Sequence, residues 1–380
     1  MTPATSFLKG NSMMAVRASV LIVGALAVCL SGPVARADAI RSTSKVGVTS
    51  RQFVPAGPYN WRAASTHVLR VTVWYPAVAT AREKPQWLGH PHPFARAGDA
   101  APDATPAAAP RRFPLIVISH GTGGTALGMA WLGTRLAAHG FIAVAVNHPG
   151  NNALGPYTPR GFTLWWLRAK DLSVALDGML SDREFGPRID ARRIGAAGFS
   201  LGGYTMIEIA GGRTSPAIFD LCEKRPHDPA CTSPPEFPTL VPQVVALLKS
   251  DHGYRAAIGG ASQSYRDPRV RAAFAIAPAL GGAFIPDSLA RISIPVEIVA
   301  GSADPIEPVN ANARYIAAHI PGSHLVLFPG AGHYTFFATC TVTGRKSRPQ
   351  LCGDPRGIDR DRIHERAGNL AVTFFSAQLK

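Results

Sequence analysis

Cysteine, acidic side chains and long apolar runs are all scarce in this chain of 380 residues. Five cysteines occur and no two form a Cys-x-x-Cys pair, which argues against a zinc ribbon or a thiol-redox motif. Aspartate and glutamate number 24 against 39 lysines and arginines, giving a formal net charge of +15. The excess is scattered arginine, with a local concentration only in 345–362, so no basic groove for nucleic acid is indicated. It fits weak attraction to an anionic surface, although simple solubility accounts for it more directly. The apolar stretch Ala18–Leu30 is too short to span a bilayer. The glycine-rich segment His120–Gly124 is not followed by Gly-Lys-Ser/Thr, nor does it follow the dinucleotide spacing, so it is not read as a phosphate cradle.

What is present begins with a leader. Lys9 and Arg17 precede the apolar stretch, and Ala35-Arg36-Ala37 supplies a small-x-small cleavage site. Residues 1–37 read as a signal peptide cleaved near Ala37, which predicts a periplasmic or secreted protein. A lipoprotein reading with acylation at Cys29 is weaker, because Val28 stands where a small residue is wanted. Removing the leader leaves Cys222, Cys231, Cys340 and Cys352. Four cysteines in an exported chain predict two disulfides. Three pairings exist. The local one, Cys222–Cys231 with Cys340–Cys352, closes short loops and is the expectation.

From Phe113 onward, short β-branched runs alternate with helical patterns. Strands are predicted over 114–119, 141–147, 193–199, 271–277, 294–300 and 324–328, and helices near 126–139, 167–180, 201–210, 308–319 and 361–378. Such alternation implies a mostly parallel sheet with helices on both faces, and catalytic groups at the carboxyl ends of its strands. Val46–Phe53 and Leu69–Tyr75 read as strands ahead of it. Between them and the alternating region, 77–112 is rich in Ala, Pro, His and Arg without a period, and reads as a flexible surface loop. Residues 211–268 are too long for a simple connection and read either as an inserted lid over a pocket or as a plain surface insertion. Arg168 and Asp171, one helical turn apart, are expected to pair with each other.

The chemistry is carried by Gly198-Phe199-Ser200-Leu201-Gly202-Gly203. A Gly-x-Ser-x-Gly frame between a strand and a helix puts the serine on a sharp turn, with its hydroxyl pushed out above the sheet. Such a nucleophile needs a base and an orienting acid, in the chain order serine, acid, histidine. Asp304 follows the run 294–301 and His333 follows 324–329, each in a strand's exit loop; Glu307 is the reserve acid. The glycine-rich exit after Phe113–Ser119 suits an oxyanion hole, with the backbone N–H groups of Thr122 and Leu201 as donors. His120 is expected beneath that loop as a structural tie. His148, in Asn147-His148-Pro149-Gly150-Asn151, is either a substrate contact or another tie. No residue pattern calls for a metal or cofactor.

Together with Trp74-Tyr75-Pro76, the motifs around His120, His148 and Ser200 resemble the bacterial predicted dienelactone hydrolases, which are similar to platelet-activating-factor acetylhydrolases. The resemblance covers Val46 to the carboxyl terminus. It implies one α/β-hydrolase domain over 38–380 and a cofactor-free esterase with Ser200, Asp304 and His333 as its triad, acting on short-chain or otherwise accessible carboxylic esters. True dienelactone hydrolases use cysteine as nucleophile where this chain has Ser200, so their substrate does not follow. A serine peptidase or amidase shares the triad, and a non-catalytic binding protein on the same scaffold remains the other alternative.

Overall fold

The computed structural model describes residues 44–109, 111–219 and 231–380. Its centre is a sheet whose strands are β1 (Lys45–Phe53), β2 (Leu69–Ala77), β3 (Lys84–Leu88), β4 (Ala95–Pro102), β5 (Phe113–Ser119), β6 (Ile142–Val146), β7 (Ile189–Phe199), β8 (Val270–Ile276), β9 (Val296–Gly301), β10 (His324–Phe328) and β11 (Thr339–Cys340). The spatial order is β10-β9-β8-β7-β5-β6-β2-β1-β4-β11, with β3 beside β4. From β6 through β10 every pairing is parallel. β2 joins β6 antiparallel and β1 joins β2 antiparallel. The six strands predicted from 114 onward match β5 to β10 with small shifts at their ends, whereas the helix predicted over 308–319 begins only at Ala313.

Burial explains the middle of the sheet. All seven residues of β5 and all five of β6 are buried, as continuous apolar strands covered on both faces must be. Leu115 and Val117 point into one core with helices Leu167–Ser181 and Leu201–Ala210. Ile116 and Ile118 point into the other with helices Ala130–Ala138 and Arg360–Gln378. The last of these starts sharply because the Asp359 side chain accepts from the N–H groups of Asp361 and Arg362.

The segment 77–112 departs from expectation. Its described part is not a flexible loop, for it contains β3 and β4, and β4 pairs in parallel with β1. Low β-propensity hid these strands, but small side chains are what the site requires. Ala95, Ala97, Ala100 and Ala101 are buried, and a Cβ added at Gly98 would lie 3.0 Å from Thr134 Oγ1 of the helix it packs on. Polar anchors complete the fit: Trp74 Nε1 donates to Gln86 Oε1 (2.9 Å), and Val46 N–H donates to Glu83 Oε1 (2.9 Å).

Within the described part of 211–268, helices cover Leu240–Ser250 and His252–Gly259. Cys340 and Cys352 form a disulfide, as expected. Cys231 is disulfide-bonded, and Cys222, its expected partner, lies outside the described residues, as does the predicted leader. No described helix is long and apolar enough to cross a membrane.

Candidate active site

β7 ends at Phe199 and the next helix begins at Leu201, leaving Ser200 alone on the turn with φ 58° and ψ −120°. A non-glycine residue there is strained, and it persists because its surroundings fix it. Ser200 N–H donates to the Ile276 carbonyl (2.8 Å), and its own carbonyl accepts from Tyr204 and Ala279. Glycine is required on both sides: a Cβ at Gly198 would stand 2.4 Å from the Gly202 carbonyl oxygen, and one at Gly202 only 2.0 Å from that of Ser119.

The structure brings Ser200, His333 and Asp304 together. His333 Nε2 lies 2.9 Å from Ser200 Oγ, and His333 Nδ1 lies 2.7 Å from Asp304 Oδ2. Asp304 Oδ1 accepts from the backbone N–H groups of Ile306 and Glu307 (2.9 and 2.8 Å), so the carboxylate is anchored before it meets the imidazole. All three side chains are buried. The His333 ring packs 4.9 Å from that of Phe199. Glu307, the reserve acid, has no hydrogen bond to His333 among the described residues, and burial followed by the Asp304 charge pushes its carboxyl up to about 8.

The glycine loop lies against the serine, since a Cβ at Gly121 would sit 3.2 Å from Ser200 Cβ. Gly123 N–H donates to Asn151 Oδ1 (2.8 Å) and Gly124 N–H to the Gly121 carbonyl (3.2 Å). The N–H groups of Thr122 and Leu201 have no acceptor among the described residues. Tyr157 donates its hydroxyl to the Gly123 carbonyl (2.9 Å). A Cβ at Gly123 would meet Glu236 Cγ, from the inserted segment, at 3.3 Å. Burial and the Glu236 charge push the Tyr334 hydroxyl, next to His333, up to about 12. Tyr157, Phe162 and Phe237 form an aromatic cluster, with Phe162 4.9 Å from Tyr157 and 5.1 Å from Phe237. Of the groups around this loop, the Asn147–Asn151 motif gave a signal in the sequence, whereas Tyr157, Phe162, Glu236, Phe237 and Tyr334 gave none.

Behind the loop stands a second Ser–His–Asp series. Ser119 Oγ is 2.9 Å from His148 Nε2, and His148 Nδ1 is 2.6 Å from Asp171 Oδ2. Asp171 does not pair with Arg168. It accepts instead from Arg62 (2.6 Å) and from the Tyr59 hydroxyl. Asp171 faces the 59–62 segment, which sequence separation concealed, whereas Arg168 reaches the His120 carbonyl, Ser119 Oγ (3.3 Å) and Asn151 Oδ1 (3.5 Å). His148 is fully buried, which makes it a tie rather than a surface contact. His120 likewise lies under the loop, its Nδ1 2.6 Å from the Gly121 carbonyl. Burial, reinforced by the Arg168 charge, brings His120 down to about 3 and moves His148 well below the ordinary histidine range. Among the described residues, no group of His, Cys, Asp and Glu is arranged to hold a metal ion.

The family model described as "PETase: PET hydrolase-like" matches residues 104–231. A cutinase (est1) of Thermobifida alba is 38% identical over 103 residues, which is 27% of this chain and 31% of that protein. A bis(hydroxyethyl) terephthalate hydrolase of Streptomyces coelicolor is 33% identical over 103 residues, 27% of this chain and 30% of that one. The chain thus spans less than a third of the length of these relatives. A ferulic acid esterase structure from Streptomyces cinnamoneus superposes with TM-score 0.58 at 21% identity, covering 90% of this chain and 92% of that one. These matches carry the coarser part of the resemblance and do not single out the dienelactone hydrolase group. The fold is that of the α/β-hydrolases.

Proposed function

We propose that this chain is an exported serine carboxylesterase that hydrolyses accessible carboxylic esters through an acyl-enzyme. The observation that carries the reading is the unbroken hydrogen-bond series from Asp304 through His333 to Ser200, with Ser200 held at positive φ. His333 takes the hydroxyl proton as Ser200 Oγ attacks the ester carbonyl carbon. Asp304 holds the imidazole with its Nδ1 proton toward the carboxylate and stabilises the imidazolium. The Thr122 and Leu201 N–H groups receive the oxyanion, each donor contributing about 3–4 kcal/mol to the transition state in comparable chemistry. His333 returns the proton to the departing alcohol, and then activates a water that releases the acid and regenerates Ser200.

The partial relatives named cutinase and bis(hydroxyethyl) terephthalate hydrolase favour ester over amide substrates. The leader-like sequence of residues 1–37 supports export, with a mature chain beginning near Asp38. A panel of p-nitrophenyl esters of graded chain length, run beside phospholipid and anilide substrates, tests the class. Ester turnover with phosphonate labelling at Ser200 is expected. Faster anilide hydrolysis would point to an amidase, and absence of both turnover and labelling to a binding protein.

A further inference from the structure

Arg168 has 0% of its side chain exposed and belongs to no ion pair among the described residues. Its partners are all neutral: the His120 carbonyl, the Ser119 hydroxyl and the Asn151 amide oxygen. Asp171 is the one carboxylate in this cluster, and Arg62, His148 and Tyr59 already occupy it. Tyr204 is the other titratable group facing Arg168, and burial raises its hydroxyl well above the ordinary range, so it stays neutral. His120 and His148 stay neutral for the reasons given above. A guanidinium does not give up its proton inside a protein. Burial pushes the Asp171 carboxyl upward, but Arg62 at 2.6 Å holds its charge, and a proton on it would only add to the positive excess. Arg62, Arg168 and Asp171 together therefore leave at least one net positive charge sealed in the molecule.

Such a charge costs several kcal/mol to bury, and an apolar side chain of similar size would cost less. Its position gives a reason for it. The His120 carbonyl that Arg168 grips belongs to the peptide leading into Gly121, one peptide ahead of the Thr122 N–H. The same oxygen would lie 2.9 Å from a Cβ placed on Gly202, next to Leu201. It thus lies near Thr122 in the chain and, in space, beside the residue that follows Leu201. The Asn151 oxygen that Arg168 also touches is the acceptor of Gly123 N–H, at the far end of the loop. One guanidinium spans both ends of the donor loop.

We propose that Arg168 is a positioning residue of the oxyanion site, fixing the loop His120–Gly124 and supplying a permanent positive charge behind the oxygen that becomes anionic. The proposal rests on the reading of Ser200 as nucleophile. A neutral ester feels this charge weakly, whereas a tetrahedral intermediate carries a full negative charge in a low-dielectric site. The effect belongs to kcat and to anionic adducts, not to the binding of neutral molecules.

The test compares Arg168→Met and Arg168→Lys with the wild type in three measurements: kcat and KM for p-nitrophenyl butyrate, affinity for phenylboronic acid, and melting temperature. Phenylboronic acid becomes an anionic tetrahedral adduct when Ser200 Oγ adds to boron. For the methionine variant we expect KM within about threefold, and kcat and boronate affinity each lower by roughly 30–100-fold. The lysine variant, which keeps the charge, should recover to within about tenfold of wild type. If methionine at 168 does not fold, lysine decides alone: boronate affinity close to wild type supports the charge, and a loss beyond 30-fold overturns it. Equal behaviour of the two variants, or a fall in melting temperature with kcat and boronate affinity unchanged, also overturns it. A wild-type protein with neither turnover nor boronate binding would remove the nucleophile reading itself, which the variants leave untouched.

Discussion

Two Ser–His–Asp series lie side by side in this molecule, one ending at Ser200 and the other at Ser119, and their hydrogen-bond lengths are nearly the same. What differs is everything around them. Ser200 stands on a strained turn with two unengaged N–H groups nearby, and its hydroxyl has no hydrogen bond other than that to His333 among the described residues. Ser119 sits in regular strand β5, and its hydroxyl also accepts from Arg168. Asp304 is anchored by two backbone N–H groups, while Asp171 is taken up by a guanidinium and a phenol. His148, fully buried and facing the Arg168 and Arg62 charges, is a poor proton acceptor. The comparison teaches that a linear Asp–His–Ser chain is not by itself a nucleophile. The hydroxyl must be presented, the base must remain basic, and donors must wait for the oxyanion.

The comparison breaks first, and by the largest factor, at the serines. Ser200→Ala should lower kcat on the order of 10⁵–10⁶-fold, whereas Ser119→Ala should lower it less than about tenfold. The acids should separate by kind of effect. Asp304→Asn should cost on the order of 10⁴ in kcat with little change in melting temperature, because it favours the wrong imidazole tautomer. Asp171→Asn should lower stability by about 3–5 kcal/mol, because it leaves Arg62 and Arg168 buried without a counter-charge. Chemical denaturation and steady-state kinetics on the four proteins check both statements. Comparable kinetic losses in the Ser119 and Ser200 variants would dissolve the distinction.

A second test uses pH, because the sealed histidines act on stability rather than on rate. His120 titrates at about 3 in the native state and His148 is displaced in the same direction, against about 6.5 when unfolded. Depressed histidines bind fewer protons in the native state. Their contribution is complete above pH 6.5 and is lost as pH falls through 6.5 toward 3. Glu208 has the opposite sign: burial pushes it up to about 8, so its contribution is complete below its unfolded value and is lost as pH rises toward 8. Between pH 6.5 and 4.5 the two partly cancel. Glu208→Gln removes the opposing part, and its unfolding free energy should fall more steeply than wild type over that window, by roughly 1 kcal/mol per pH unit. Urea titrations at the two pH values measure it, and parallel slopes would refute the assignment.

The series ending at Ser200 was legible in the sequence because each member marks a strand exit: a glycine frame for Ser200, a short loop after an apolar run for Asp304 and His333. The sealed series was not, since nothing in the sequence joined His148, noticed only within its own motif, to Ser119 and Asp171, and their partner Arg62 lies far away in the chain. Arg168 and Asp171 mislead in particular, because helical spacing suggests a pair that tertiary contacts override. Strands β3 and β4 were hidden by alanine, whose small size suits close packing but gives no β-propensity signal. Tyr157 and Glu236 reach the loop from segments without periodicity, and nothing in the sequence attached them to Gly123.

The smallest effect expected concerns charge near the glycine loop beside Ser200. Glu236 stands at Gly123 and acts on both Tyr157 and Tyr334. Arg348 opposes it at Tyr157, but on the Tyr334 side the Asp304 charge adds to it. An ester bearing a carboxylate therefore approaches a locally negative rim, while a neutral ester does not. Glu236→Gln should raise kcat/KM for a monoanionic aromatic ester by about two- to threefold and leave its neutral methyl ester unchanged, since interactions of exposed charges are weak. The gain should disappear in about 1 M salt, where the screening length shrinks to about 3 Å. An equal change on both esters, or a gain that survives salt, would show that Glu236 acts through packing of the inserted segment and not through its charge.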